Sequence, residues 1–193
     1  MIRKMISKLN VIMATVAAVS MTLTPVTAMA RGNVVEENLG TTDITWDAVT
    51  SQEGSEELIG AGRFVQFDGV DCQMWIPNLM QPEELTEEDI QKGYIGYYTT
   101  EDKESVAAIM YIDTGGMTLE DYKAFLADDN EVSGITDITV NGLPGVMYDM
   151  TGKDATCVSF TTDSGYVLEF TFAPMSDDGY SAITTCMIAS IQE

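Results

Sequence analysis

Thirty-one carboxylates, three thiols and no imidazole set the chemistry open to this chain of 193 residues. Without histidine there is no Ser-His-Asp or Cys-His catalysis, no His-ligated zinc and no histidine pH switch. Lys92, Lys103, Lys123 and Lys153 do not stand in a Ser-x-x-Lys motif, so lysine does not supply the missing base. Gly60-Ala61-Gly62 lacks the remaining spacing of a glycine-rich phosphate fingerprint, and there is no Gly-Lys-Ser/Thr. Two carboxylates about 5–9 Å apart would suffice for glycoside hydrolysis. Among so many acids some pair reaches that spacing by chance, so the reading needs a cleft holding two acids of raised pKa.

The thiols are Cys72, Cys157 and Cys186. An odd number permits one internal disulfide at most, and no Cys-x-x-Cys spacing offers a redox or zinc motif. Cys72 and Cys157 fall in strand patterns, where cysteine behaves as a small buried hydrophobe. Cys186 falls near the edge of a helical apolar stripe. Three buried free thiols are the expectation. A Cys157–Cys186 bridge would require the last helix to pack on the sheet face that carries Cys157.

One stretch has metal-ligand spacing. Asp129, Glu131, Ser133 and Asp137 put oxygens at positions one, three, five and nine of a calcium loop, with Gly134 at six. Position twelve is Val140 instead of a bidentate glutamate, Thr136 stands at eight, and a strand pattern follows. The stretch is therefore expected to be a solvated helix-to-strand loop. No metal site and no cofactor are expected, and calcium should bind only weakly and diffusely.

The formal net charge is −22. Nucleic acid and anionic membrane surfaces are repelled by such a chain, while cations are attracted. Arg3, Lys4 and Lys8 precede an uncharged run from Val11 to Val26, and Ala28-Met29-Ala30 supplies a small-x-small cleavage site. Residues 1–30 read as a secretory signal peptide. Ser20, Thr22, Thr24, Pro25 and Thr27 make the run a poor membrane helix, so no stable membrane anchor is expected after cleavage. The mature protein is expected outside the cell, or in the periplasm if there is an outer membrane.

Residues 31–59 read as a flexible leader with a possible short helix around Trp46 and Val49, and 60–193 as one domain. Strand signals run from Phe64 to Phe67, through Asp68-Gly69 as a two-residue turn, and back from Val70 to Ile76. Trp75 is expected in the core. A short acidic helix is expected over 82–91, opened by Pro82. Strands follow at 94–99 and 106–112, and Tyr97-Tyr98 could serve a binding face. Thr118 opens a helix with the apolar stripe Leu119, Tyr122, Phe125 and Leu126. Asn141-Gly142 is the strongest short hairpin signal in the chain. Strands at 146–150, 157–161 and 166–172 come next, with Tyr166, Leu168, Phe170 and Phe172 inward and Glu169 and Thr171 outward. The last helix, capped by Ser176-Asp177-Asp178, carries Tyr180, Ile183, Met187 and Ile191. Tight turns between neighbours make the strands pair antiparallel. The fold class is α+β, a mostly antiparallel sheet with helices packed on its faces.

This order of elements resembles the PsbP-like and Mog1-like domains. The resemblance is carried by Trp75-Ile76-Pro77, Thr118-Leu119-Glu120, Val140-Asn141-Gly142, Phe170-Thr171-Phe172-Ala173-Pro174, Ser176-Asp177 and Ile188-Ala189-Ser190-Ile191. It covers about 60–193 and implies an α-β-α sandwich that serves as a binding or scaffold module in place of an enzyme. Its motifs mark turns and caps and carry no site residue over. The expected function is a secreted, non-catalytic binding module for a protein, peptide or cation. The alternative is a small extracellular carboxylate-dependent hydrolase.

Overall fold

The computed structural model describes residues 41–193. The expected export signal and the first part of the leader lie outside the described residues. The elements are β1 (Thr42–Ile44), α1 (Trp46–Thr50), α2 (Ser55–Gly60), β2 (Gly62–Gln66), β3 (Gln73–Pro77) and β4 (Met80–Pro82). They continue with α3 (Glu87–Gln91), β5 (Tyr94–Thr100), β6 (Val106–Asp113), α4 (Leu119–Ala127) and β7 (Val132–Val140). The chain closes with β8 (Leu143–Met150), β9 (Ala155–Thr161), β10 (Tyr166–Ala173) and α5 (Asp178–Ala189).

Eight strands form one sheet in the order β1-β7-β8-β9-β10-β6-β5-β4, and β2-β3 forms a separate ribbon. Among the described residues only β1 runs parallel to its neighbour, β7; the other pairs are antiparallel. The architecture is α+β, a mixed and mostly antiparallel sheet with helices packed on it.

Strand alternation divides the interior in two. Phe170, Phe172, Ile109 and Val158 point to a large core shared with Met74, Trp75 and Ile76 of the ribbon and Tyr180, Ile183 and Met187 of α5. Val146, Tyr148, Cys157 and Val167 face the other way, beneath Tyr122 and Leu126 of α4. α5 is buried nearly all round, beyond the four-residue stripe expected, because the sheet lies on one side and the ribbon on the other. Ser190 ties that stack together: its Oγ accepts the Trp75 backbone N–H at 2.8 Å. Trp75 is in the core, 1% exposed, and its Nε1 donates to the Ile59 carbonyl at 3.2 Å.

The local signals are kept in some places and overridden in others. Asn141 (φ 49°) and Gly142 (φ 86°) make the expected two-residue turn between β7 and β8, where both left-handed positions match the strand twist. Asp68-Gly69 does not make a two-residue turn. The ladder closes at Gln66–Gln73, which leaves residues 67–72 as a longer loop. Phe67, 2% exposed, is drawn into the large core at that point. Pro82 does not open a helix; it ends β4, an edge strand, where a residue without an N–H is tolerated. α3 instead starts at Glu87, with Thr86 and Asp89 forming a reciprocal capping box. Thr118 caps α4 in the same way through Asp121.

Within the stretch read as a leader, residues 42–44 form β1 and residues 46–60 hold two short helices. Val49 is buried, and Ile44 and Trp46 pack on the large core.

Candidate functional site

Among the described residues a concave surface lies at the β4 end of the sheet, on the face that carries α5. The β5–β6 connection over 101–105 builds one wall. Asp102 fixes its shape by accepting from Thr100 Oγ1 at 2.5 Å and from the Glu104 backbone N–H at 3.1 Å. Lys103 sits in the left-handed region (φ 60°) and its Nζ reaches Glu83 Oε1 at 3.1 Å. Glu101, Asp102 and Glu104 line the groove with Asp177, the N-cap of α5, which accepts from Tyr180 N–H at 2.7 Å. The floor is Leu79, Tyr180 and Ile183, and the groove encloses about 750 Å³. Tyr180 O–H donates to the Val106 carbonyl, which anchors the floor to β6. Among the described residues no basic side chain lines this groove.

The carboxylates whose acidity is displaced are all displaced downward. Glu83 is held ionised by the Thr99 hydroxyl and then by Lys103. Asp89, Asp102 and Asp121 are held ionised by the hydroxyls of Thr86, Thr100 and Thr118. A general acid needs the opposite displacement.

The candidate calcium residues are engaged separately. Asp129 Oδ1 accepts from the Glu131 N–H at 2.8 Å, Ser133 Oγ meets Thr151 Oγ1 at 3.1 Å, and Asp137 pairs with Lys123 at 2.8 Å. β7 begins at Val132, so Ser133 and Asp137 lie along an extended strand and do not curl around a common centre. Among the described residues no cluster of three or more acidic or sulfur side chains is placed to hold a metal.

Glu169 was read as outward, and it does leave the large core, yet α4 covers it. Its Oε2 accepts from Tyr148 O–H at 2.5 Å and Tyr122 O–H at 2.8 Å. This network pins α4 to the sheet. Burial first, and then the Glu169 charge, pushes both tyrosines above the ordinary phenol range. Because the folded values lie above the unfolded value of about 10, the neutral hydroxyls contribute their full stability below that pH and lose it as pH rises beyond it. Stability measured by urea titration from pH 8 to 11 should fall, and the Tyr148→Phe variant should show a shallower fall. Equal slopes would remove Tyr148 from the account.

All three cysteines are free and buried. Cys157 lies under α4, whereas Cys186 on α5 lies in the large core across the sheet, so the geometry that a bridge required is not met. Burial raises all three thiols, to about 12 for Cys72 and Cys186 and about 11 for Cys157. Thiol titration at pH 8 should find almost no reactive group natively and three after denaturation without reductant. A single group after denaturation would mean a disulfide.

Sequence reading missed the groove. Tyr180 and Ile183 read as core stripe, which they are, with one side left lining a surface. Three acids in the five-residue connection 101–105 were the available signal. Of the aromatic pair, Tyr98 is buried in the core at 8% exposure, while Tyr97 is half-exposed on the other face.

No family model matches the chain, and no curated protein matches it. Among solved structures it is similar to cyanobacterial PsbP (CyanoP) from Synechocystis sp. PCC 6803, with 11% identity over 69% of this chain and 93% of that one, at a TM-score of 0.49. That likeness carries nothing about activity. Among the described residues no helix is long and apolar enough to cross a membrane.

Proposed function

We propose that this protein is an exported, non-catalytic binding module that holds a basic polypeptide segment in the groove beside α5. The observation that carries the reading is the pairing of an apolar floor (Leu79, Tyr180, Ile183) with a rim of carboxylates, while Lys103 of the same wall turns away to pair with Glu83. Apolar side chains of a partner would cover the floor, and its lysines or arginines would meet Glu101 and Glu104. The chain's net charge of −22 steers such a partner toward it. Asp102, a rim carboxylate held ionised by the Thr100 hydroxyl, supports binding a cation over donating a proton.

Titration calorimetry with a seven-residue peptide alternating lysine and leucine tests this. Saturable binding should weaken with salt, and Glu101→Gln with Glu104→Gln should lower affinity about 3- to 10-fold at low salt, the range for exposed ion pairs. A glutamate–leucine peptide should not bind. Equal binding by both peptides, or indifference to the two substitutions, would overturn the reading.

A further inference from the structure

The opposite face of the same sheet end holds a second groove of about 510 Å³, between β5 and α3. It differs in kind from the first. Its lining combines two half-exposed tyrosine rings with side chains of both charges. Tyr94 and Tyr97 stand edge to face, 6.3 Å between ring centres at 75°. Thr99 Oγ1 donates to Glu83 Oε1 at 2.9 Å, and Lys103 Nζ lies 3.1 Å from the same oxygen. Glu84 and Lys92 add a further acceptor and a further donor.

We propose that this groove binds an uncharged oligosaccharide. Three features select that class. Tyrosine rings present flat apolar area with a polar tip, which matches a pyranose with its C–H face and hydroxyl edge. Neighbouring ammonium and carboxylate groups match a vicinal diol, one oxygen accepting from Lys103 while the other hydroxyl donates to Glu83, both as charge-assisted hydrogen bonds. The third feature is the field of the whole chain. At a net charge of −22 an anion is repelled before it reaches the two lysines, and within this groove Lys92 and Lys103 offset the pull of the carboxylates on a cation. A neutral polyol uses both signs of charge without being excluded or diverted. The volume falls in the range of small-molecule sites and exceeds a single ring.

This site opens on the other side of the 101–105 connection from the polypeptide groove, and its spectral test reads residues 83–85 and 94–99 in place of 177–183. The ¹⁵N–¹H spectrum of the full protein is recorded with tri-N-acetylchitotriose, cellotriose and maltotriose, each to 20 mM. At least one should give saturable shifts at residues 83–85 and 94–99, with residues 177–183 unmoved. Tyr97→Ala should lower that affinity at least tenfold and Tyr97→Phe should retain most of it. Lys103→Ala, at an exposed position, should lower it a few-fold while leaving the melting temperature unchanged. Three outcomes each overturn the proposal: no saturable shift with any of the three sugars, shifts that persist in Tyr97→Ala, or tighter binding of a trigalacturonate probe than of the neutral sugars. The peptide titration is untouched by any of these results.

Discussion

Gly62→Ala is expected to destabilise the domain by about 3 kcal/mol, the upper part of the usual range for overpacking a core. A Cβ built on Gly62 falls 2.2, 2.4 and 2.5 Å from Cε2, Nε1 and Cζ2 of Trp75. The indole has nowhere to go: it is 1% exposed and held by its bond to Ile59, with Trp46 6.4 Å away and the ribbon backbone around it. The backbone of Gly62 is not left-handed, so the cost is steric alone. That makes a double-mutant cycle decisive. Trp75→Ala by itself should cost about 4 kcal/mol. In that background Gly62→Ala should cost close to nothing, since the atoms it strikes are gone, giving a coupling of about 3 kcal/mol. Urea denaturation of the four proteins measures it. Additive costs would show that the ribbon does not press on the Trp75 ring as described.

Asn141→Asp is expected to cost a similar amount, about 3 kcal/mol, because it leaves buried partners facing a charge. Asn141 does more than turn the β7–β8 hairpin. Its Oδ1 accepts from the Trp46 N–H at 2.8 Å, and its Nδ2 donates to the carbonyls of Ala189 and Ile191, each at 2.8 Å. Its own backbone N–H donates to the Ile44 carbonyl at 2.9 Å. One side chain thereby ties the start of the domain, the hairpin and the end of α5 together. Aspartate keeps the shape and the acceptor but sets a carboxylate against two carbonyls at a helix C-terminus, where the dipole is also negative. The new carboxyl should titrate above its unfolded value. For such a group stability is present at low pH and lost as pH rises through the folded pKa. The variant should therefore regain stability between pH 7 and pH 5 relative to the parent. Asn141→Ala, which has no charge, should be destabilised without that pH dependence. An Asp variant as stable as the parent at pH 7 would contradict the account.

Local chemistry was legible in the sequence wherever one residue type meets one backbone demand. Asn141-Gly142 named its turn because both positions need positive φ. Thr118 named its helix start because the hydroxyl has one orphan N–H to meet. The β10 alternation placed Phe170 and Phe172 correctly, since period two is rigid. What failed depended on residues distant in the chain. Asp68-Gly69 looked like a tight hairpin, and the pull of the core on Phe67 lengthened the loop. Pro82 looked like a helix start, and pairing of residues 80–82 with β5 made it a strand end. Residues 42–44 carry no strand signal of their own; they pair because the outer edge of β7 accepts them. Glu169 was correctly placed off the large core. That α4 would bring two tyrosines onto it could not be read from spacing. The same holds for the peptide groove, which joins residues near 79, 101–104 and 177–183.

The central claim is that this groove binds a basic segment. The most direct measurement is the ¹⁵N–¹H shift map of the protein titrated with the lysine–leucine peptide. The account predicts saturable shifts concentrated at 78–81, 100–105 and 177–183, abolished by 0.5 M salt, with residues 94–97 on the opposite face unmoved. Shifts spread over the acidic surface without saturation would contradict it and reduce the groove to part of a solvated acidic shell.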